Sequence, residues 1–206
     1  MSHAATRLAL GLVLFVLVGW GVGELLTSVV RSADLSSVRD VAAHRSAALT
    51  DAARVVTWAG SAFLLVPLAL IACLLLGRAG QRPEALAVAV SLGGAILIST
   101  WVKLLVSRPR PPVAHLQGVT GASFPSGHAT QASAFWLSLA FALRAAGAPP
   151  MPTRVTGGLA LLIVLTVAAS RVYLGVHYPS DVVAGVLLGT GWAAYVSRCL
   201  RGPKVP

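Results

Sequence analysis

Acidic residues and lysines are scarce in this chain. Its 206 residues include six Asp or Glu and two Lys, and only 11% of the residues are charged. Hydrophobic residues make up 56%, and the mean hydropathy is +0.81. Soluble domains usually carry about 25% charged residues. The composition therefore excludes an ordinary soluble domain and indicates a membrane protein.

Cysteine is equally scarce. Cys73 falls inside an apolar stretch and Cys199 at the end of another, so the two residues are not expected to meet or to be oxidised. We interpret both as packing residues. The chain also lacks internal repeats and low-complexity segments, which predicts a single domain over residues 1–206.

Six apolar stretches are long enough, or nearly so, to cross about 30 Å of hydrocarbon as helices of about 20 residues. They lie at roughly 8–30, 58–77, 85–106, 127–146, 155–173 and 180–197. The first exceeds the ~7–15 apolar residues of a cleavable signal peptide, so we interpret it as a retained helix. The pattern predicts an all-α membrane protein, a bundle of six transmembrane helices.

The connection at 31–57 has apolar residues at near-helical spacing. This spacing is typical of a helix that lies in the outer membrane interface, and equally of a solvated helix in a loop.

The net charge of +10 raises the possibility of nucleic-acid binding, but the basic residues form no continuous stripe. They lie in the connections between spans, as the positive-inside rule describes. Four of them belong to, or lie among, a candidate site described below. Of the remaining twelve, eight lie on the face that carries both termini: Arg7, Arg78, Arg82, Arg144, Arg154, Arg198, Arg201 and Lys204. Four lie on the opposite face: Arg31, Arg39, Arg45 and Arg54. This asymmetry predicts a plasma-membrane protein with cytoplasmic termini and an extracytoplasmic site. Because the basic residues form no continuous stripe, we expect no nucleic-acid partner.

Three polar segments stand at the ends of apolar stretches, all on the same predicted side of the membrane. They are Lys103 to Pro111 (K-L-L-V-S-R-P-R-P), Pro125-Ser126-Gly127-His128, and Ser170-Arg171 followed by His177 and Asp181.

The first segment offers two cations on different backbone elements. Pro109 and Pro111 cannot continue a helix, so Lys103 projects from a helix end while Arg110 projects from a stiff extended segment. An ammonium and a guanidinium placed in this way can approach a phosphate from different directions. A basic cluster snorkelling at the membrane edge is the alternative. Arg108 could touch substrate or lipid head groups, although no pattern supports it.

The second segment is typical of a helix N-terminus. Ser126 can cap the helix, Gly127 lets a ligand approach the backbone, and the free N–H groups can bind an anion. His128 can then reach a leaving-group oxygen. By itself the segment is equally compatible with a simple capping turn.

The third segment pairs an imidazole with a carboxylate. Asp181 follows His177 by four residues, so it can bind one imidazole nitrogen and leave the other free to attack. A helix cap is the alternative for Asp181. Outside the segments, His115 is expected in an exposed loop, and Glu24 is expected to snorkel or to pair with a nearby arginine.

Together the segments resemble the tripartite motif of the type 2 phosphatidic acid phosphatase family, K-x6-R-P, P-S-G-H and S-R-x5-H-x3-D, over residues 103–181 with no departure. The resemblance implies that His177 is a nucleophile forming a phosphohistidine, that Asp181 orients it, and that His128 is a general acid. It also implies a set of groups that hold the phosphoryl oxygens: Lys103, Arg110, Ser126, the Gly127 amide and Arg171. Asp181 is the only acid in the motif, so no carboxylate cluster is available for Mg²⁺. We expect no metal and no cofactor.

The resemblance implies a phosphatase acting on a membrane lipid phosphate or pyrophosphate. A chain rich in Ala, Arg, Val and Gly and poor in Lys indicates a GC-rich bacterial source, which slightly favours polyprenyl pyrophosphate, the cell-wall carrier. Phosphatidate and phosphatidylglycerophosphate follow closely. The alternative is a lipid-phosphate transporter or binding protein without turnover, which would not need His128, His177 and Asp181 together. The soluble vanadium haloperoxidases, which share the motif, are disfavoured by six spans. The oligomeric state is not predicted.

Overall fold

The computed structural model describes residues 2–147 and 149–201 and contains no β-strand within these ranges. Its α-helices are α1 (Ser2–Val29), α2 (Arg31–Ala43), α3 (Ala47–Val56), α4 (Ala62–Arg78), α5 (Arg82–Val106), α6 (Gly127–Ala145), α7 (Pro150–Tyr173) and α8 (Pro179–Arg201). The predicted all-α architecture is confirmed. Lys204, counted above on the cytoplasmic face, lies outside the described residues.

The predicted stretch 58–77 is wrong at its start. A 3₁₀ turn at Thr57–Gly60 follows α3, and α4 begins only at Ala62. Ser61 has an extended backbone and accepts a hydrogen bond from the Phe63 N–H, so it acts as an N-cap and breaks the helix. The axis bends by 44° at this break.

The six-span count stays a prediction. Helices α1, α5, α7 and α8 are each long and apolar enough to cross a membrane, and α3 with α4 forms a bent fifth candidate. Helix α6 packs against α4, α5, α7 and α8. Its buried side chains are mainly Ala, Ser and Thr. A helix enclosed by protein needs small side chains more than apolar ones, which explains its weaker hydropathy signal.

Two glycines bring α8 against α6. A Cβ added at Gly185 would stand 2.8 Å from the Ser126 carbonyl oxygen, and one at Gly189 only 2.2 Å from the Thr130 carbonyl oxygen. Beside this contact, α5, α6 and α8 share an apolar cluster around Ile98, Phe124 and Trp192. The close approach fixes the N-terminus of α6 beside the start of α8.

The helix predicted within 31–57 is confirmed, but as two helices, α2 and α3, separated at residues 44–46. Ser46 caps α3 by accepting from the Leu49 N–H. Val38 and Ala53 are buried; α2 packs against α7 and α8, and α3 packs against α7. They therefore form part of the bundle wall rather than a free loop.

Candidate active site

Four helix ends meet at one end of the bundle: the C-termini of α5 and α7 and the N-termini of α6 and α8. Lys103 Nζ donates to the Ala122 carbonyl oxygen at 2.7 Å. The Ser126 N–H donates to the Asp181 carbonyl oxygen at 3.0 Å. A Cβ added at Gly127 would lie 3.9 Å from Lys103 Cε. The structure thus brings the three predicted segments together.

His177 and Asp181 form a buried pair. The His177 Nδ1 atom lies 3.5 Å from Asp181 Oδ2, and the two residues are 2% and 0% exposed. Ser123 Oγ donates to Asp181 Oδ2 and also lies 3.5 Å from His177 Nδ1. The Tyr178 N–H donates to the same carboxylate oxygen at 2.9 Å. Asp181 therefore both caps α8 and faces His177 Nδ1. The other ring nitrogen, Nε2, is left available to a substrate.

The environment of His177 favours the neutral imidazole. Burial lowers its pKa from 6.5 to about 4, and the positive charges of Lys103 and Arg171 act in the same direction. Asp181 raises the pKa of His177 but does not outweigh burial. The imidazole is therefore neutral at neutral pH, which is the form that a nucleophilic histidine requires.

The Arg110 guanidinium organises the loop that joins α5 to α6. It donates from Nε to the Gly121 carbonyl oxygen at 3.0 Å and from Nη1 to the Val176 carbonyl oxygen at 2.7 Å. Val176 directly precedes His177. Burial lowers the pKa of Arg110, although Asp181 opposes the shift. Arg110 therefore carries a partly desolvated charge beside the histidine.

The Arg171 guanidinium has a buried N–H that is unpaired within the described ranges. Its Nη1 donates to Thr57 Oγ1 at 2.7 Å and to Gln117 Oε1. Its buried Nε has no hydrogen-bond partner among the described residues. A buried N–H without an acceptor is costly, so this atom is suited to an incoming oxygen.

His128 stands on the first turn of α6, after the N-cap Ser126, whose Oγ accepts weakly from the Ala129 N–H at 3.5 Å. A Cβ added at Gly60 would lie 2.8 Å from the His128 carbonyl oxygen, so the 3₁₀ turn packs directly on this residue. His128 also lies within electrostatic reach of a set of site residues: Lys103, Arg110, Arg171 and His177. It shares the site with the proposed nucleophile.

Arg108 is buried and makes its contacts inside the protein. It is 3% exposed, and it donates to Asp181 Oδ1 at 2.7 Å and to Asp34 Oδ2 at 2.8 Å. His115 is exposed, as expected. Glu24 is exposed on α1, and within residues 2–147 and 149–201 it has no ion pair.

Several residues that contact the site carried no signal in the sequence. They are Asp34, Thr57, Gln117, Ser123 and Ser180. In the sequence, the only feature that distinguishes Asp34 is the scarcity of acidic residues. Across the part of the chain that the structure describes, no three His, Cys, Asp or Glu side chains cluster as metal ligands. Metal-independent chemistry stays a prediction.

An apolar groove of about 570 Å³ opens beside the site, between α2–α3 and α7–α8. Val41, Ala52 and Val56 line one wall. Ser170, next to Arg171, and Val182, next to Asp181, line the other. The groove thus adjoins the polar site.

The profile of the PAP2 superfamily matches residues 84–203. A decaprenylphosphoryl-5-phosphoribose phosphatase of Mycobacterium tuberculosis is 37% identical over 133 residues, which cover 63% of this chain and 67% of the relative. An undecaprenyl-diphosphatase of Bacillus subtilis is 30% identical over 132 residues, 62% of this chain and 63% of that protein.

Among solved structures, a transmembrane PAP2-type phosphatidylglycerolphosphate phosphatase from Bacillus subtilis superposes with a TM-score of 0.80. It is 27% identical, and the superposition covers 91% of this chain and 92% of that one.

Proposed function

We propose that this chain, which belongs to the PAP2 superfamily and hydrolyses phosphate esters or anhydrides, removes phosphate from a membrane lipid through a phosphohistidine intermediate. The observation that carries the proposal is the buried, neutral His177, with Nδ1 turned toward Asp181 and cations around it.

In the first half of the reaction, His177 Nε2 attacks phosphorus. The N–P bond forms as the bond from phosphorus to the leaving oxygen breaks, and His128 gives its proton to that oxygen. Lys103, Arg110 and Arg171, with Ser126 and the Gly127 amide, hold the phosphoryl oxygens. Cations and backbone N–H groups fixed in advance stabilise charge as it develops, which is often the largest contribution to catalysis.

In the second half, a water molecule attacks the phosphohistidine. His128, now neutral, takes a proton from this water as its oxygen bonds to phosphorus. The N–P bond breaks, and inorganic phosphate leaves with His177 neutral again. Each residue returns to its starting protonation state, so the cycle is balanced.

The apolar groove beside Ser170 supports a lipid substrate rather than a soluble phosphate ester. Two relatives are named as a decaprenylphosphoryl-5-phosphoribose phosphatase and an undecaprenyl-diphosphatase, and the structural relative as a phosphatidylglycerolphosphate phosphatase. We place polyprenyl pyrophosphate first, with phosphatidate and phosphatidylglycerophosphate next. We further propose that the site faces the outside of the plasma membrane.

The test is phosphate release by detergent-purified protein in excess EDTA, comparing a long-chain prenyl pyrophosphate with phosphatidate. We expect release that survives EDTA and is lost in His177→Ala. His115→Ala, which removes an exposed histidine outside the site, is the matched control and should keep full activity. Millimolar vanadate, which mimics the trigonal transition state, should inhibit.

Release that persists in His177→Ala would contradict the histidine mechanism. Binding of both lipids without release by folded wild-type protein would instead identify a carrier. Dependence on added divalent metal would contradict the metal-independent chemistry.

A further inference from the structure

The Asp181 carboxylate has a second buried side, facing away from His177. Arg108 Nη1 donates to Asp181 Oδ1 at 2.7 Å, while the other oxygen, Oδ2, faces His177. Arg108 Nη1 also donates to Ser180 Oγ at 2.8 Å. Its guanidinium carbon lies 4.2 Å from the centre of the Tyr178 ring. The orientation of Arg108 is therefore fixed by hydrogen bonds in the plane of its guanidinium and by the Tyr178 ring on one face.

A second carboxylate, from a distant part of the chain, completes this arrangement. Asp34 on α2 accepts from Arg108 Nη2 at 2.8 Å through Oδ2, and from the Ser180 N–H at 3.0 Å through Oδ1. The Ser180 hydroxyl also donates to Asp34 Oδ2. Asp34 thus holds both the arginine behind Asp181 and the residue that precedes Asp181 in the chain.

The three charges are almost completely buried: Arg108 is 3% exposed, Asp34 4% and Asp181 0%. Burial lowers the pKa of Arg108, but the two carboxylates outweigh it and raise the pKa overall, so the guanidinium stays charged. Buried ion pairs contribute little net stability, because desolvation offsets their attraction. Stability alone does not account for the placement of this cluster beside the proposed nucleophile.

We propose that Arg108 and Asp34 are positioning residues for the Asp181–His177 pair. They hold Asp181 in the orientation that faces His177 Nδ1, and they set the charge behind that carboxylate. Through Asp34, the α2 helix becomes part of the catalytic architecture. The inference rests on the function proposed above.

This role makes a prediction that a purely structural role does not. The charged or titratable groups that act on His177 come from several elements: Lys103 of α5, His128 of α6, Arg171 of α7 and Asp181 of α8. Arg110 of the α5–α6 loop donates to the carbonyl group of the preceding residue, Val176. Arg108→Gln removes a positive charge behind Asp181, which raises the pKa of His177 and moves the acid limb of kcat/KM to higher pH. Asp34→Asn removes a negative charge and moves this limb to lower pH.

The experiment measures kcat, KM and the pH dependence of kcat/KM for full-length protein in detergent, with the preferred lipid as substrate. We expect kcat to fall roughly 10- to 100-fold, the range seen when residues that orient the ligands of a metal site are changed, and more in Arg108→Gln than in Asp34→Asn. Arg108→Lys should recover part of the loss. KM and the Kd for inorganic vanadate should stay within about twofold, since the phosphate-binding cations are untouched. Asp40→Asn and Arg39→Gln, exposed on the same helix α2, should match wild type.

Three results would overturn the proposal. The first is an unchanged kcat in Arg108→Gln and Asp34→Asn. The second is a loss of vanadate binding in parallel with kcat, or failure of these variants to fold, which would make the cluster scaffolding only. The third is a shift of the acid limb in the same direction in both. If wild-type protein released no phosphate from any lipid, the proposed function itself would fail, a result that the variants do not influence.

Discussion

At the scale of single residues, two cations of the site, Lys103 and Arg110, are held by backbone carbonyl groups. Lys103 donates to Ala122 and Ser123, and Arg110 donates to Thr120, Gly121 and Val176. Carbonyl oxygens carry partial negative charge, so they offset part of the repulsion between neighbouring cations. A phosphate carries more negative charge and offsets this repulsion further. The positive side chains are therefore placed in advance, which lowers the reorganisation that substrate binding requires.

The protonation state of His177 can be measured directly. Its pKa is lowered to about 4 by burial, so the imidazole should stay neutral as the pH falls from 8 to about 5 and should titrate only near 4. Asp181 beside Nδ1 should keep the proton on Nδ1 and leave Nε2 bare. The measurement is a ¹⁵N NMR titration of the histidine side chains, with His177→Gln used to assign the resonance. Titration between pH 6 and 7, or a proton on Nε2, would contradict this assignment.

At the scale of helices, the glycine face of α8 determines where the site residues meet. Gly185 and Gly189 contact backbone atoms of α6, so this small-residue pair is used inside the molecule. Small residues let helix backbones approach closely in membrane proteins. Because Ser126 and Asp181 lie at this contact, a change in the helix spacing also changes the site.

Gly189→Ala should therefore destabilise the protein. The new Cβ would stand 2.2 Å from the Thr130 carbonyl oxygen, and overpacking of this kind costs about 1–3 kcal/mol. We expect a lower midpoint of thermal unfolding in detergent and reduced phosphate release. Gly158→Ala is the matched control, because among the described residues no atom beyond its chain neighbours and nearby helix backbone lies within 4 Å of the added Cβ, and its midpoint should be unchanged or higher. Equal stability of the two variants would show that α6 and α8 are not in close contact.

Helices α2 and α3 are tied to the loops around the site as well as to its charges. Arg45, between them, donates to the Tyr173 and Ala114 carbonyl oxygens, each at 2.9 Å. Arg54 on α3 donates to the Leu116 carbonyl oxygen at 3.3 Å. These bonds join the segment 31–57 to the α5–α6 connection and to the C-terminal end of α7. The segment is built into the wall of the site.

At the scale of the whole molecule, all motif residues lie at one end of the bundle, and the short connection between α4 and α5 lies at the other. The asymmetry of basic residues predicts that the site end faces outward. A lipid could then enter from the outer leaflet, with its tail in the groove beside Ser170 and its phosphate among the cations.

Cysteine labelling tests this orientation. Cys73 and Cys199 are replaced by alanine, and one cysteine is introduced by Ala114→Cys at the site end or by Ala79→Cys at the opposite end; both positions are exposed. In intact cells, a membrane-impermeant maleimide should label the Ala114→Cys protein, and it should label the Ala79→Cys protein only after permeabilisation. The reverse pattern would place the site in the cytoplasm.

The sequence by itself determined the helical class, the approximate positions of the long helices and the residues of the motif. These features depend on local properties: apolar length, proline and capping residues, and the spacing of His177 and Asp181. The sequence missed the break at Ser61, because Gly60-Ser61 interrupts a stretch that remains apolar on both sides.

Only the tertiary structure decided which residues stand behind Asp181. Asp34 and Arg108 are 74 residues apart in the chain, yet they share a hydrogen bond of 2.8 Å. Their partnership depends on how α2 packs against α7 and α8, which no local pattern specifies. The same holds for Ser123 at Asp181 and for Thr57 and Gln117 at Arg171. Buried polar groups find their partners through the packing of distant segments, so these contacts appear only once the helices are assembled.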